Sequence, residues 1–169
     1  MLGVKIIIYS SIFLTCSAIG ILKSQKYICR VNELKEFKNA LNMFKTKIRF
    51  TYEPVPEIFN QISQNINPNI GNIFKIASSN MRTCTAGEAW DRAIDTDIIN
   101  INLEDKSILK SFGKLLGATD LEGQINQIEV TSSFLDEQIK RAEADREKNE
   151  KLYRKLGMII GLGIVIVLV

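Results

Sequence analysis

Apolar residues crowd both ends of the chain and recur at helical spacing between them. Residues 6–22 read IIIYSSIFLTCSAIGIL with no charge, about 17 residues, the lower limit for a helix that crosses a bilayer. No A-x-A cleavage site follows. Phe13, Leu14 and Thr15 are not the small residues that precede a lipoprotein cysteine at Cys16. The segment therefore reads as an uncleaved anchor and not as a signal peptide. Residues 156–169, LGMIIGLGIVIVLV, make a second apolar segment. It supplies only about 21 Å of helix against a ~30 Å hydrocarbon core. Snorkelling by Arg154 and Lys155, interfacial Leu152 and Tyr153, and local thinning of the bilayer would close that gap. Apolar residues on every face from Met158 onward weigh against a helix end buried in a soluble core. Gly157 and Gly161 form a G-x-x-x-G spacing, which lets membrane helices approach closely.

Between these segments the period is helical throughout. Tyr27, Leu34, Leu41 and Ile48 are spaced by seven, with Phe37 and Phe44 three after Leu34 and Leu41. That is one apolar seam on a long helix continuing from the first anchor. Residues 52–56 (YEPVP) end it, because proline lacks a backbone donor and disfavours helix just before it. Shorter helices are expected with Ile58, Phe59, Ile62 and Ile66, then with Ile70, Ile73, Phe74, Ala77 and Met81, separated by the turn at Asn65–Asn69. Thr85 and Glu88 fit a capping box that opens a helix bearing Trp90, Ala93 and Ile94. A further helix carries Ile108, Leu109, Phe112, Leu115 and Leu116 and stops at Gly117. Asp120 begins a last helix with Ile125, Ile128, Leu135, Ile139 and Ala142 on its seam.

No strand pattern of comparable quality occurs, so the expected fold is all-α: an antiparallel helical bundle between an N-terminal and a C-terminal membrane anchor helix. The expected divisions are an anchor over 1–22, a helical bundle over 23–155 and a short membrane segment over 156–169. Leu41, Phe44, Trp90, Phe112 and Leu116 are the expected core, and Gly157 and Gly161 the expected membrane packing positions. If both long helices rise equally from the membrane, Leu41 falls near residues 137–139 and Phe37 near Arg141 and Ala142. Beside the membrane, Arg30 would then face residues 147–150 in a looser, charged neck.

Composition narrows the chemistry. The 169 residues, 19.1 kDa, allow one domain. With 22 Lys+Arg against 19 Asp+Glu the net charge is +3, too little for a dedicated nucleic-acid binder. The chain has no histidine, which excludes a Ser-His-Asp or Cys-His nucleophile pair and an H-E-x-x-H zinc site. Cys16, Cys29 and Cys84 are too widely spaced for a disulfide framework and favour a reducing compartment for the middle of the chain. No phosphate loop and no G-x-S-x-G occurs.

One stretch is rich in oxygen ligands: Asp95, Asp97, Asn100, Asn102, Glu104 and Asp105. It departs from a calcium loop at Ile99 and lacks the glycine, so a solvated turn with a helix cap is expected, and no metal or cofactor. The charge run over 143–155 reads as an exposed helix face with pairs such as Glu147–Lys151. Charge asymmetry orients the anchors. Lys23, Lys26 and Arg30 follow the first, and Lys148, Lys151, Arg154 and Lys155 precede the second. The positive-inside rule then places residues 23–155 in the cytoplasm.

Four stretches, in their order and spacing, carry a resemblance to a known family: Pro54 after the first helix, residues 85–90 (TAGEAW), residues 109–117 (LKSFGKLLG), and residues 148–157 (KNEKLYRKLG) with the apolar tail. The chain resembles the stage III sporulation protein AB family of endospore-forming bacteria. That resemblance implies a place in the mother-cell membrane around the forespore, within a secretion-like channel. It implies a cytoplasmic domain similar to the F-type inner-membrane platform proteins of type II secretion and type IV pilus machines. The implied partners are a cytoplasmic secretion-type ATPase (the sporulation AA protein), the other stage III sporulation A channel proteins and the membrane, with no nucleic acid. The implied role is a non-enzymatic platform without catalytic residues. Platform proteins usually carry two such helical domains and this chain has one, which raises homo-oligomerisation as a possible arrangement. The competing reading is a membrane-anchored helical signalling or relay module, and the few residues expected outside the membrane count against it.

Overall fold

The structure, a computed structural model, describes residues 2–51, 53–96 and 99–168, with side chains from residue 7 onward. Tyr52 of the expected helix stop, Asp97 of the oxygen-rich stretch, Val169 of the second apolar segment and the side chains of Lys5 and Ile6 lie outside the described residues. The chain is all-α. In order, the helices are α1 (Leu2–Phe50), α2 (Val55–Asn65), α3 (Pro68–Asn80), α4 (Ala86–Thr96), α5 (Leu103–Gly113) and α6 (Leu121–Leu168). They make two compact units: Asn32–Lys140, and Met1–Val31 with Arg141–Val169.

In the unit Asn32–Lys140 the helix boundaries follow local chemistry. α2 opens on Pro54 with Pro56 in its first turn, where a missing N–H costs nothing. The Asn67 side chain accepts from Asn69 N at 3.0 Å and Pro68 follows it, opening α3. Before α4, Thr85 N donates to Glu88 Oε2 and Glu88 N donates to Thr85 Oγ1, both at a loose 3.4 Å. The oxygen-rich stretch resolves into a tighter capping box. Asp105 N donates to Asn102 Oδ1 at 2.8 Å and Asn102 N donates to Asp105 Oδ2 at 2.9 Å.

The end of α5 departs from the expected stop at Gly117. The helix closes at Gly113, and Leu115 and Leu116 lie in the turns that follow, Leu116 N donating to Gly113 O at 3.1 Å. α4 packs closely against this end of the helix. A Cβ on Gly87 would stand 2.7 Å from Gly113 O, and one on Gly113 would stand 2.4 Å from Trp90 Cδ1. Only glycine lets α4 and α5 approach so nearly here. Gly117 then turns the chain with φ +73°, a left-handed value that glycine adopts without strain.

The core is an aromatic cluster drawn from five helices. The Trp90 ring of α4 meets Phe59 of α2, Phe74 of α3 and Phe112 of α5 at centroid distances of 5.6, 5.1 and 5.5 Å. Phe44 of α1 meets Phe59 at 5.2 Å and Phe112 at 6.1 Å. All are edge-to-face, the arrangement ring quadrupoles favour. The indole N–H donates to Leu109 O at 2.6 Å, so the one polar atom of the ring is satisfied in the interior. Leu41, Phe44 and Trp90 are wholly buried, and Phe112 and Leu116 are 2% and 5% exposed.

Two ion pairs set the register of α1 against α6 in this unit: Lys38 Nζ–Asp136 Oδ1 and Lys45 Nζ–Glu129 Oε1, each 2.5 Å. They bring Leu41 level with Ser133 instead of residues 137–139, a shift of about one helical turn. The expected register counted equal numbers of residues from Lys23 and from Lys155, and these ion pairs do not keep that count.

Replacing the central indole tests this core. Trp90→Ala should cost about 3–5 kcal/mol, the range for emptying a large aromatic site. Gly113→Ala should cost about 1–3 kcal/mol through the clash with the indole. Urea titrations of the detergent-solubilised full chain, followed by far-UV circular dichroism, measure both. A loss below about 1 kcal/mol for Trp90→Ala would mean that the indole is not a core group.

Candidate interaction surfaces

The unit formed by Met1–Val31 and Arg141–Val169 consists of the first part of α1 and the last part of α6. Among the described residues α1 alone is long and apolar enough to cross a membrane. In α6 an 18-residue stretch ending at Leu168 reaches back to Lys151 and takes in Arg154 and Lys155 as well. Of the two expected anchors, the first passes this measure and the second does not by itself, because its uncharged run is short. Its apolar side chains nevertheless point outward, with Ile159 63% and Ile166 70% exposed.

What holds the segment is α1 of the same chain. A Cβ on Gly157 would stand 2.9 Å from Cys16 O and 3.0 Å from Gly20 Cα, and one on Gly20 would stand 2.7 Å from Tyr153 O. A Cβ on Gly161 would meet Phe13 Cδ2 at 3.1 Å. The sequence reading marked Gly157 and Gly161 for packing but missed Gly20, which lies in an apolar run with no motif to single it out. At one end of the pair the Tyr9 hydroxyl donates to Leu168 O at 2.9 Å. Towards the other end, Tyr27 and Tyr153 stack at 5.8 Å and Lys23 Nζ lies 6.0 Å from the Tyr153 ring centroid. Arg30 pairs with Asp145 at 3.2 Å. The expected loose neck is instead a close helix pair. Arg146–Glu150 at 2.9 Å and Arg154–Glu150 at 4.0 Å take the place of the expected Glu147–Lys151 pair.

The unit Asn32–Lys140 adds a buried carboxylate. Glu33, 7% exposed, accepts from Asn100 N at 2.6 Å and from Asn100 Nδ2 at 2.8 Å. It ties the α4–α5 connection to α1. The available sequence signal was its place beside Leu34 on the apolar stripe. On the outer side, Lys110 Nζ lies 2.6 Å from Asp95 and 3.6 Å from Asp91. The hydrogen bond from Lys110 lowers the Asp95 pKa, and the same bond raises that of Lys110. The open groove lined by Thr85, Glu88, Asp91, Arg92, Lys110 and Lys114 is therefore a mixed-charge surface.

A family model described as Stage III sporulation protein AB matches residues 5–169. The chain is similar to Stage III sporulation protein AB of Bacillus subtilis (strain 168), with 24% identity over 153 residues covering 88% of this chain and 90% of the relative. A solved structure of Stage III sporulation protein AB (SpoIIIAB) superposes with a TM-score of 0.64 at 21% identity, covering 71% of this chain and 98% of that one. This last likeness speaks for the fold.

Two substitutions separate these surfaces. Gly157→Leu should push α6 off α1, and disulfide formation between cysteines placed at Tyr27 and Tyr153, in a chain stripped of its other cysteines, should fall in that background. Undiminished crosslinking would show that the glycine contact does not hold the pair. Glu33→Ala should cost about 1–3 kcal/mol, because the Asn100 donors lose their partner, and it should speed hydrogen exchange of the Asn100 amide. An unchanged exchange rate would leave the latch without a role.

Proposed function

Because the chain belongs to the stage III sporulation protein AB family, we propose that it is a non-enzymatic membrane platform of the mother cell–forespore channel, docking the cytoplasmic secretion-type ATPase, the sporulation AA protein, to the other stage III sporulation A proteins. The match across almost the whole chain carries this reading. Two physical features support it. The helical unit Asn32–Lys140 is a densely packed block whose outer faces mix charged and polar groups with exposed apolar side chains such as Phe50, Leu103 and Phe134, suited to holding partners. α1 and α6 each contribute residues to both compact units, so a partner held on one is covalently tied to an apolar, membrane-type helix by two chain crossings.

In this reading the channel proteins meet the exposed apolar faces of α1 and α6, and the ATPase meets the charged faces of the other unit. Residues 23–155 stand on the cytoplasmic side of the mother-cell membrane, as the basic residues near Lys23 and Lys155 direct. The domain division proposed for the membrane-embedded protein remains 1–22, 23–155 and 156–169.

Crosslinking in sporulating cells followed by purification of the full chain tests the assignment. The ATPase should be recovered together with membrane channel proteins. Recovery of channel proteins without the ATPase would contradict the docking role. Topology has its own test. A single cysteine at the exposed position Gln64, in a chain stripped of its other cysteines, should resist an impermeant maleimide in protoplasts and react after permeabilisation. Labelling before permeabilisation would place the helical unit outside and remove a cytoplasmic partner.

A further inference from the structure

Where α1 and α6 leave their glycine contact, cations gather around the pair. With Gly20 against Gly157, Lys23 comes level with Arg154 and Lys26 with Lys151, about 5 and 9 Å along the axis from that contact. Lys155 joins them. All five side chains are exposed. The acids beside them are largely engaged: Asp145 by Arg30, and Glu150 by Arg146 and Arg154. Among the described residues Lys26, Lys151 and Lys155 have no ion-pair partner, and Lys23 has only the Tyr153 ring. On the other side of this level the exposed surface turns apolar at once, with Leu22 62% and Leu156 38% exposed. The stacked Tyr27–Tyr153 rings lie at the same boundary, half-buried. Tyrosine favours that depth of a bilayer because it is apolar in body and polar at its tip.

We propose that Lys23, Lys26, Lys151, Arg154 and Lys155 form a collar that binds the phosphodiester headgroups of anionic phospholipids, so that the helix pair selects anionic lipid around itself. Charge complementarity carries the assignment. Unpaired cations sit at the border of an apolar surface, the depth at which lipid phosphates lie, and each cation near an anionic surface adds to its attraction. Because α1 and α6 converge at Gly20 and Gly157, two sparse basic segments far apart in the sequence become one ring. The proposal rests on α1 entering the membrane; it needs neither the ATPase nor a full crossing by α6.

The purified full chain in an uncharged detergent is titrated with phosphatidylglycerol or phosphatidylcholine, and retained lipid is counted by native mass spectrometry. The wild-type chain should retain phosphatidylglycerol in preference, and the preference should weaken with added salt. The variant Lys23→Gln, Lys26→Gln, Lys151→Gln, Lys155→Gln should lose at least about tenfold of that preference. Lys75→Gln with Lys114→Gln, which removes exposed charges elsewhere, should leave it unchanged. No preference in the wild-type chain, or an equal loss in the two variants, would overturn the collar. Flotation with phosphatidylcholine vesicles tells that failure from failure of the anchor. Wild-type chain that floats but shows no lipid preference rejects the collar alone, and wild-type chain that does not float rejects both.

Discussion

The Trp90 side chain is the interaction on which the helical unit depends. Helices of about 11–13 residues are marginal by themselves in water, and α2, α3, α4 and α5 are 11, 13, 11 and 11 residues long. Their stability has to come from packing. The indole supplies contacts to α2, α3 and α5 at once, and Phe44 closes the cluster from α1 through Phe59 and Phe112. The hydrogen bond to Leu109 O fixes which way the ring lies. Gly113, the last residue of α5, leaves room for it.

Most of this could be read before the fold was known, because it rests on local rules. The seven-residue spacing of Leu34, Leu41 and Ile48 marked α1, the prolines at 54 and 56 marked its end, Pro68 belonged to the turn between α2 and α3, and Thr85–Glu88 marked the start of α4. The misreadings share a cause. The end of α5, the register of α1 on α6 and the role of Gly20 all depend on how near two backbones come. A glycine in an apolar run looks the same whether it faces lipid or another helix. Glu33 escaped notice for a similar reason: a carboxylate next to an apolar seam signals burial only when its partner is known, and Asn100 lies 67 residues away.

The unit formed by the two ends of the chain follows different physics. Its apolar side chains are turned outward, and its interior is made of small residues and backbone at Gly20, Gly157 and Gly161. Packing of that type does not rely on the hydrophobic effect, and it is the kind that holds helices together in lipid. It also gives the short apolar end of α6 a partner already suited to a membrane. One chain therefore carries a water-type core around Trp90 and, around Gly20, a seam of the small-residue kind that also packs in lipid.

With its aromatic centre closed by five helices, Asn32–Lys140 is a preformed, well-packed block and not a set of helices that order only on meeting a partner. Trp90, the one tryptophan of the chain, reports on it directly. Its fluorescence in the purified full-length protein, without partners, should be blue-shifted, shielded from acrylamide, and lost in a single cooperative step as urea is raised. Water-exposed, freely quenched emission before any denaturant is added, or a gradual change without a transition, would contradict the account.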